Sequence, residues 1–199
     1  MKTEKTALIL IGYQNDYFAE DGILKDVLDG SPTPSEVMSN TIRILNALES
    51  TAMSIFITPI VFTPDYSELT AATGILKAIK EVKAFQEGES GSDISPEIAA
   101  FGDRIVEVRG KRGLNAFYGT ELQQLLEAKE VTNAVFAGVV TSVCIDSSAR
   151  YAYEYGLNIT ILSDCTAGRT TTEQEFYCSD IFPIYAEVKT STELLDSLE

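Results

Sequence analysis

The stretch that decides the fold is Val135-Phe-Ala-Gly-Val-Val-Thr-Ser-Val-Cys144-Ile-Asp-Ser-Ser-Ala-Arg150. Its apolar start predicts a buried strand that ends at Gly138, and the residues from about Ser142 to Tyr155 predict a helix. Cys144 then lies in the first turn of that helix, where free backbone N–H groups and the helix dipole stabilise a thiolate and can hold an oxyanion. We expect Cys144 to be a nucleophile, although a free cysteine is more commonly a small buried apolar residue.

Short apolar runs alternate with longer amphipathic segments along the rest of the chain, which is the pattern of βα units around a parallel sheet. The predicted strands are residues 7–11, 54–61, 104–108, 134–137, 158–162 and 186–188. The predicted helices are residues 35–50, 76–82, 119–128, 142–155, 172–180 and 193–198. We therefore expect an α/β fold, organised as a single domain over residues 1–199 because this length fits one domain.

Three candidate residues follow the ends of predicted strands. Gly12, Lys111 and Cys144 come after the first, third and fourth strands. Ligands of open parallel sheets bind outside the carboxyl ends of the strands, so all three residues can face one crevice. Lys111 also belongs to a basic segment with Arg109 and Arg112, and composition alone favours a solvated surface lysine there.

The composition narrows the expected partners. Thirty acidic and 15 basic residues leave a formal charge of −15, which repels phosphate backbones and anionic lipids. No apolar run approaches the roughly 18 residues that span a bilayer, and the run at residues 7–13 is too short for a signal sequence. We predict a cytoplasmic protein that takes a small-molecule substrate and binds neither nucleic acid nor membrane.

The chain contains no histidine and three cysteines. Without histidine, Ser-His and Cys-His catalytic pairs and His-ligated metal sites are excluded. An odd number of cysteines without paired spacing argues against a disulfide framework. We expect Cys165 and Cys178 to be packing residues, and the chemistry to use Cys144, lysine, carboxylates and backbone dipoles.

Four blocks, in order, resemble the isochorismatase-like cysteine hydrolases. Gly138-Val-Val-Thr-Ser-Val-Cys-Ile is similar to the family signature Gly-Val-x-Thr-x-x-Cys-Val, and the helix after it carries Ala-Arg-Tyr-Ala. Gly156-Leu-Asn-Ile-Thr-Ile-Leu-Ser-Asp-Cys-Thr-Ala resembles the block Gly-Tyr-x-Val-x-Val-x-x-Asp-x-x-Ala. Lys111-Arg-Gly-Leu-Asn-Ala-Phe resembles Lys-x-x-x-Ser-Ala-Phe, and Gly12-Tyr-Gln-Asn-Asp-Tyr resembles Asp-x-Gln-Asn-Asp-Phe. An ordered set of blocks is far more specific than a single motif.

The resemblance implies a Rossmann-like three-layer α/β/α sandwich with a mainly parallel central sheet, assembled as a dimer or tetramer. It assigns Cys144 as the nucleophile that forms an acyl-enzyme and Lys111 as the catalytic lysine whose positive charge favours the thiolate. It also implies a cis peptide bond between Val139 and Val140, before Thr141, that aims N–H groups at the oxyanion. No cofactor and no metal are expected, because the segment after the second strand lacks the histidine of the family's metal-dependent nicotinamidases.

The chain departs from the family at the acid/base position, where Gly12 aligns with the family aspartate. Asp16 and Asp65 are candidates for a substitute acid, although each is more typical of a cap or a turn. If space for a carboxylate remains at position 12, Gly12→Asp is predicted to raise an amidase rate at least tenfold.

Three residues are expected to line the pocket: Gln14, Phe18 and Phe117, with Gln14 as a hydrogen-bonding residue at its floor. Tyr13 and Tyr17 could also contribute, although aromatic residues here are more often core. The loop of residues 66–103 is expected to cover the crevice, with a surface loop at 88–93.

Two functions remain open. One is a cysteine hydrolase acting on a small amide or related carbonyl compound. The other is a pseudoenzyme that keeps the fold as a binding or oligomeric scaffold, since Gly12 has no side chain to carry a proton.

Overall fold

Six strands form one sheet in the computed structural model, which describes residues 1–198. The strands are β1 (Thr6–Ile11), β2 (Ser54–Thr58), β3 (Val106–Glu107), β4 (Asn133–Val139), β5 (Asn158–Ala167) and β6 (Glu187–Lys189). Their order is β3-β2-β1-β4-β5-β6, and every pairing is parallel. The chain therefore winds outward twice from the centre, so the order reverses between β1 and β4, which is where ligands bind in such sheets.

Helices cover both faces of the sheet. They are α1 (Asn15–Phe18), α2 (Pro34–Leu48), α3 (Gly74–Val82), α4 (Pro96–Ala99), α5 (Leu122–Ala128), α6 (Asp146–Glu154), α7 (Thr171–Phe176) and α8 (Ser191–Asp196). Two π-helical turns, Thr141–Ile145 and Tyr177–Ile181, precede α6 and follow α7. Within residues 1–198, no helix is both long enough and apolar enough to cross a bilayer.

The alternation of side chains along β1 divides the core into two layers. Leu8 and Leu10 pack with the apolar residues of α2 and α8, whereas Ala7, Ile9 and Ile11 pack with those of α5 and α6. All six residues of β1 are buried, as expected for a central parallel strand covered on both faces. The predicted three-layer α/β/α sandwich is confirmed.

Several element ends differ from the predictions for local reasons. Strand β2 ends at Thr58, because Pro59 has no N–H for the ladder. Strand β3 has two residues instead of five, and both are exposed at the sheet edge. Helix α5 begins at Leu122, since Gly119 has a φ of +75°, outside the helical range. Strand β5 continues to Ala167, because a register shift opposite Phe136 and Gly138 lets its last residues pair again with β4.

The loop of residues 66–103 contains α3, α4 and an inward-facing segment, defined here as residues 84–95. Phe85, Ser92 and Ser95 of this segment are buried. The backbone amide of Asn15 donates to the carbonyl of Asp93 at 3.0 Å, and the backbone of Gln14 forms an isolated antiparallel β-bridge with that of Ile94. Within the predicted surface loop at 88–93, residues 88–90 and 93 are exposed as expected, whereas Ser92 is buried and the backbone of Asp93 contacts the start of α1.

Candidate active site

A lysine and a cysteine meet at the carboxyl edge of the sheet. The Nζ of Lys111 lies 3.6 Å from the Sγ of Cys144, and it donates a hydrogen bond of 2.5 Å to the carbonyl of Gly113. Lys111 is 1% exposed and Cys144 is 8% exposed, so the pair is almost removed from bulk water. The two residues whose convergence the strand ends predicted are therefore in contact.

Backbone pairing positions both residues. Lys111 extends the β2–β3 side of the sheet, because it bridges Ile60 and its carbonyl accepts from the amide of Val61 at 3.4 Å. Cys144 lies in the π-helical turn that follows β4. The peptide bond between Val139 and Val140 is cis, and the carbonyl of Val140 accepts from the amides of Val143 and Ile145. The turn is thus anchored to Val140, the residue that directly follows the strand.

The charge balance of this pair is unusual. Among residues 1–198, no carboxylate oxygen lies within 4.0 Å of the Lys111 ammonium group, although other lysines are paired with glutamates. A buried charge is costly unless an opposite charge compensates it. Within residues 1–198, the side-chain atom in hydrogen-bonding contact with the Lys111 Nζ is the sulfur of Cys144.

The other two cysteines have different surroundings. Burial raises the pKa of Cys178 to about 11. Burial, with the negative charge of Asp164, raises the pKa of Cys165 as well. Both thiols therefore stay protonated at neutral pH, in line with their expected role as packing residues.

Gly12 ends β1 directly beside the strand that leads to Cys144. Its φ is +77°, and a Cβ built there would lie 2.7 Å from the carbonyl oxygen and 2.9 Å from the Cγ2 of Val139. Real Cβ atoms do not approach backbone oxygen so closely. The condition for restoring an aspartate at position 12, free space for the carboxylate, is therefore not met.

The two candidate substitute acids are engaged elsewhere. The Oδ2 of Asp16 accepts from the amide of Phe85 at 2.5 Å. Burial raises the pKa of Asp16, with opposition from the amides of Phe85 and Ile23. Asp65 lies in an exposed turn, where the hydroxyl of Thr63 and the amide and hydroxyl of Ser67 lower its pKa.

Neither carboxylate is hydrogen-bonded to Cys144, and this holds for every carboxylate within residues 1–198. The substitute-acid assignments of Asp16 and Asp65 are corrected accordingly. Asp16 instead joins the inward-facing segment to α1, and Asp65 closes its own turn.

The three expected pocket residues have separate positions. Gln14 is buried and uses its whole amide on the backbone, with Nε2 donating to the carbonyls of Ile60 and Ser92 and Oε1 accepting from the amide of Ile60. Phe117 packs in the same apolar cluster as Cys144. Phe18 does not, because its ring stacks on Tyr13, 5.3 Å between centroids, on the α2 side of the sheet.

Tyr17 has electrostatic surroundings that the sequence did not reveal. Its ring packs against Phe85, 5.2 Å between centroids. Burial, followed by the negative charges of Cys144 and Asp16, raises the pKa of Tyr17. The phenol therefore stays protonated at neutral pH, so its O–H remains available as a hydrogen-bond donor. The sequence did contain one indication that this position is special, because the chain has Tyr17 where the family motif has Phe.

Helix α7 holds the turn that carries Cys144, which sequence analysis did not predict. The hydroxyl of Thr141 donates to the Oε1 of Gln174 at 2.5 Å. The hydroxyl of Ser142 donates to the Oε1 of Glu173 at 2.5 Å, and Arg169 donates to the other carboxylate oxygen at 2.7 Å. The contacts of Thr141 and Ser142 join residues about 30 positions apart, so no local sequence pattern predicts them.

A cavity of about 400 Å³ lies at the carboxyl ends of β2 and β3. Its lining includes Pro59, Gly110 and Arg112, on either side of the Ile60–Lys111 bridge. Lys111 itself is directed toward Cys144. Within residues 1–198, no group of three or more Cys, Asp and Glu side chains is arranged to hold a metal ion.

The chain is thus an α/β sandwich with a buried lysine–cysteine pair at the carboxyl edge of its sheet. A family model describing the isochorismatase domain matches residues 6–193, so the chain belongs to the isochorismatase family of hydrolases.

Named relatives agree with this family assignment. The chain is similar to the uncharacterized isochorismatase family protein YecD of Escherichia coli O157:H7, 26% identical over 100% of this chain and 98% of the relative. It is also similar to the ureidoacrylate amidohydrolase RutB of Yersinia enterocolitica, 22% identical over 82% of this chain and 76% of the relative. The crystal structure of a cysteine hydrolase from Pseudomonas syringae pv. phaseolicola superposes with a TM-score of 0.84 at 18% identity, covering 98% of this chain and 93% of that one.

Proposed function

We propose that this protein is a cysteine hydrolase that cleaves a small amide or a related carbonyl compound through an acyl-enzyme on Cys144. The observation that carries the proposal is the buried contact between Lys111 and Cys144, beside which residues 1–198 place no carboxylate oxygen within 4.0 Å of the lysine. A positive charge beside a thiol favours the thiolate, which is the nucleophilic form. Amidohydrolases among the relatives make an amide bond the favoured target.

The proposed reaction has two halves. The Cys144 thiolate attacks the carbonyl carbon, and the oxyanion is stabilised by N–H groups of the turn other than those of Val143 and Ile145, which donate to the carbonyl of Val140. Collapse of the tetrahedral intermediate expels the amine and leaves a thioester on Cys144. Water then hydrolyses the thioester and returns the free thiolate.

The experiment is acylation of the whole protein by p-nitrophenyl acetate. The expected result is a burst of nitrophenolate equal to the number of active sites and an acetyl adduct on the peptide that contains Cys144, seen by mass spectrometry. Cys144→Ala should abolish both, whereas the matched variant Cys178→Ala should keep both. The absence of an adduct on Cys144 in the wild-type protein would contradict the hydrolase proposal and favour a scaffold.

Reaction with iodoacetamide gives a second test on the same protein. Cys144 should be alkylated well before Cys165 and Cys178 at pH 7, because burial raises the pKa of both other thiols. Equal labelling of the three cysteines would remove the physical basis of the proposal.

A further inference from the structure

Amide cleavage through a thioester needs a proton carrier, and the usual groups are missing around Cys144. The leaving amine must gain a proton, and the attacking water must lose one. The chain contains no histidine, Gly12 has no side chain, and Asp16 and Asp65 bond elsewhere. Among residues 1–198, the side chain in hydrogen-bonding contact with the Cys144 sulfur is that of Lys111.

We propose that Lys111 is itself the proton carrier, so that Cys144 and Lys111 work as a two-residue catalytic dyad without a carboxylate. This inference rests on the proposed hydrolase function and deepens it. It gives Lys111 a second task beyond supplying charge, namely to release and regain a proton in each cycle.

The surroundings of Lys111 differ from those of the other lysines. Lys111 is almost fully buried, and within residues 1–198 no carboxylate oxygen lies within 4.0 Å of its ammonium group. Lys5, Lys77 and Lys189 illustrate the contrast, since a glutamate oxygen lies 2.7 to 3.6 Å from each ammonium group.

Among the hydrogen bonds within residues 1–198, those of Lys111 leave one of its three N–H donors without a partner. An ammonium group has three N–H bonds. One is directed at the carbonyl of Gly113 and one at the sulfur of Cys144. The third remains for the leaving nitrogen or the incoming water, so the group that holds the thiolate can also reach the atoms that exchange protons.

Over one catalytic cycle, Lys111 gives one proton to the leaving amine and regains one from water. In the resting pair, Lys111 is an ammonium and Cys144 is a thiolate. The thiolate forms the C–S bond, and the carbonyl π electrons move to oxygen. When the C–N bond breaks, the leaving nitrogen takes a proton from Lys111, which becomes a neutral amine. Lys111 then removes a proton from water as the hydroxide oxygen attacks the thioester. Breakage of the C–S bond releases the carboxylic acid and restores the resting pair.

Lys111→Arg separates the two tasks, because arginine keeps the charge but does not release its proton in proteins. With p-nitrophenyl acetate, the acylation burst needs no proton donor, since nitrophenolate leaves as an anion. Steady-state turnover depends on removing a proton from water. We expect the burst rate of Lys111→Arg to stay within about tenfold of wild type and the steady-state rate to fall by about 100-fold or more. Lys80→Arg is the matched control, because Lys80 donates to loop carbonyls away from Cys144.

Asp16→Asn tests the same inference if the arginine does not fit, which far-UV circular dichroism would show. If Lys111 carries the proton, Asp16→Asn should leave the burst and steady-state rates within about threefold of wild type. Wild-type turnover in Lys111→Arg, or lost turnover in Asp16→Asn, would overturn the dyad while leaving the hydrolase standing. A wild-type protein that forms no Cys144 adduct would overturn the proposed function and the dyad together.

Discussion

At the residue scale, Gly12 shows why one missing side chain is difficult to replace. It lies where β1 ends beside Val139, with a backbone conformation in which L-residues are disfavoured. Val139 of the neighbouring strand β4 occupies the space that a side chain at position 12 would need. The backbone conformation and the contact with Val139 thus leave no room for a side chain at position 12, so a single substitution does not restore the carboxylate.

Gly12→Asp should therefore destabilise the protein without raising its activity. We expect a loss of about 2–4 kcal/mol, from the positive φ together with the contact to Val139. Gly12→Ala is the matched control, which adds the Cβ without the carboxylate and should lose a similar amount. Chemical denaturation measures both variants, and a stable Gly12→Asp protein with faster amide hydrolysis would contradict the structure.

The pair at the centre of the site could be predicted from the sequence because its cause is topological. Lys111 and Cys144 follow strands of one parallel sheet, and such strands end at the same edge. The bond between Asp16 and Phe85 and the close approach of Val139 to Gly12 could not be predicted, because the partners lie 69 or more positions apart in the sequence. Sequence patterns indicate local periodicity and do not predict contacts between residues that are distant in the sequence.

At the scale of elements, α7 acts as a clamp on the turn that carries Cys144. Glu173 connects Ser142 with Arg169. Burial opposes the ionisation of Glu173, but the hydrogen bonds from Ser142 and Arg169 outweigh burial and lower its pKa below the ordinary 4.5. Because the folded state lowers this pKa, the ionised carboxylate stabilises the fold above pH 4.5, and that stabilisation is lost as the pH falls through the folded value.

Glu173→Gln should reveal this clamp through its pH dependence. We expect the variant to be less stable than wild type by about 1–2 kcal/mol at pH 7, since it loses a charged acceptor. The difference should shrink as the pH falls below 4.5, because the wild-type carboxylate is then protonated too. Thermal unfolding from pH 7 to pH 3 measures the difference. Glu175→Gln, on the same helix and exposed, is the control, and a pH-independent difference for Glu173→Gln would argue against the clamp.

The main elements were predictable where periodicity is strong, and their ends were not. The apolar runs of β1 and β4 predict central strands, and the stripe of apolar residues along α2 predicts a helix. Strand β3 was predicted to have five residues and has two. It lies at the edge of the sheet and pairs only with β2, so its length is the length of that one pairing. The docking of the inward-facing segment was missed because its Gly, Ser and Glu content resembles that of a solvated loop.

At the scale of the whole molecule, the formal charge of −15 works against compactness. Like charges on one small surface repel each other, and that repulsion is relieved when the chain expands. Salt at 0.1 M screens interactions between exposed charges that are more than roughly 10 Å apart. The fold must be held against this repulsion by its two apolar layers.

Added salt should therefore stabilise the protein. Raising NaCl from about 20 mM to about 500 mM at pH 7 should raise the thermal midpoint by roughly 3 °C or more, because screening weakens the self-repulsion. The same step near pH 4.3, where the chain is close to neutral, should have a much smaller effect. A midpoint at pH 7 that falls with salt would show that attractive ion pairs outweigh the repulsion.

The central place of β1 has a consequence for synthesis on the ribosome. Strand β1 becomes an interior strand of the sheet, yet it is synthesised well before its neighbour β4, which does not begin until Asn133. Until then the nascent chain displays an apolar segment with one unsatisfied edge, which is the kind of surface that chaperones bind and that aggregates recruit. The yield of soluble protein should accordingly depend on how quickly the ribosome delivers the second half of the chain.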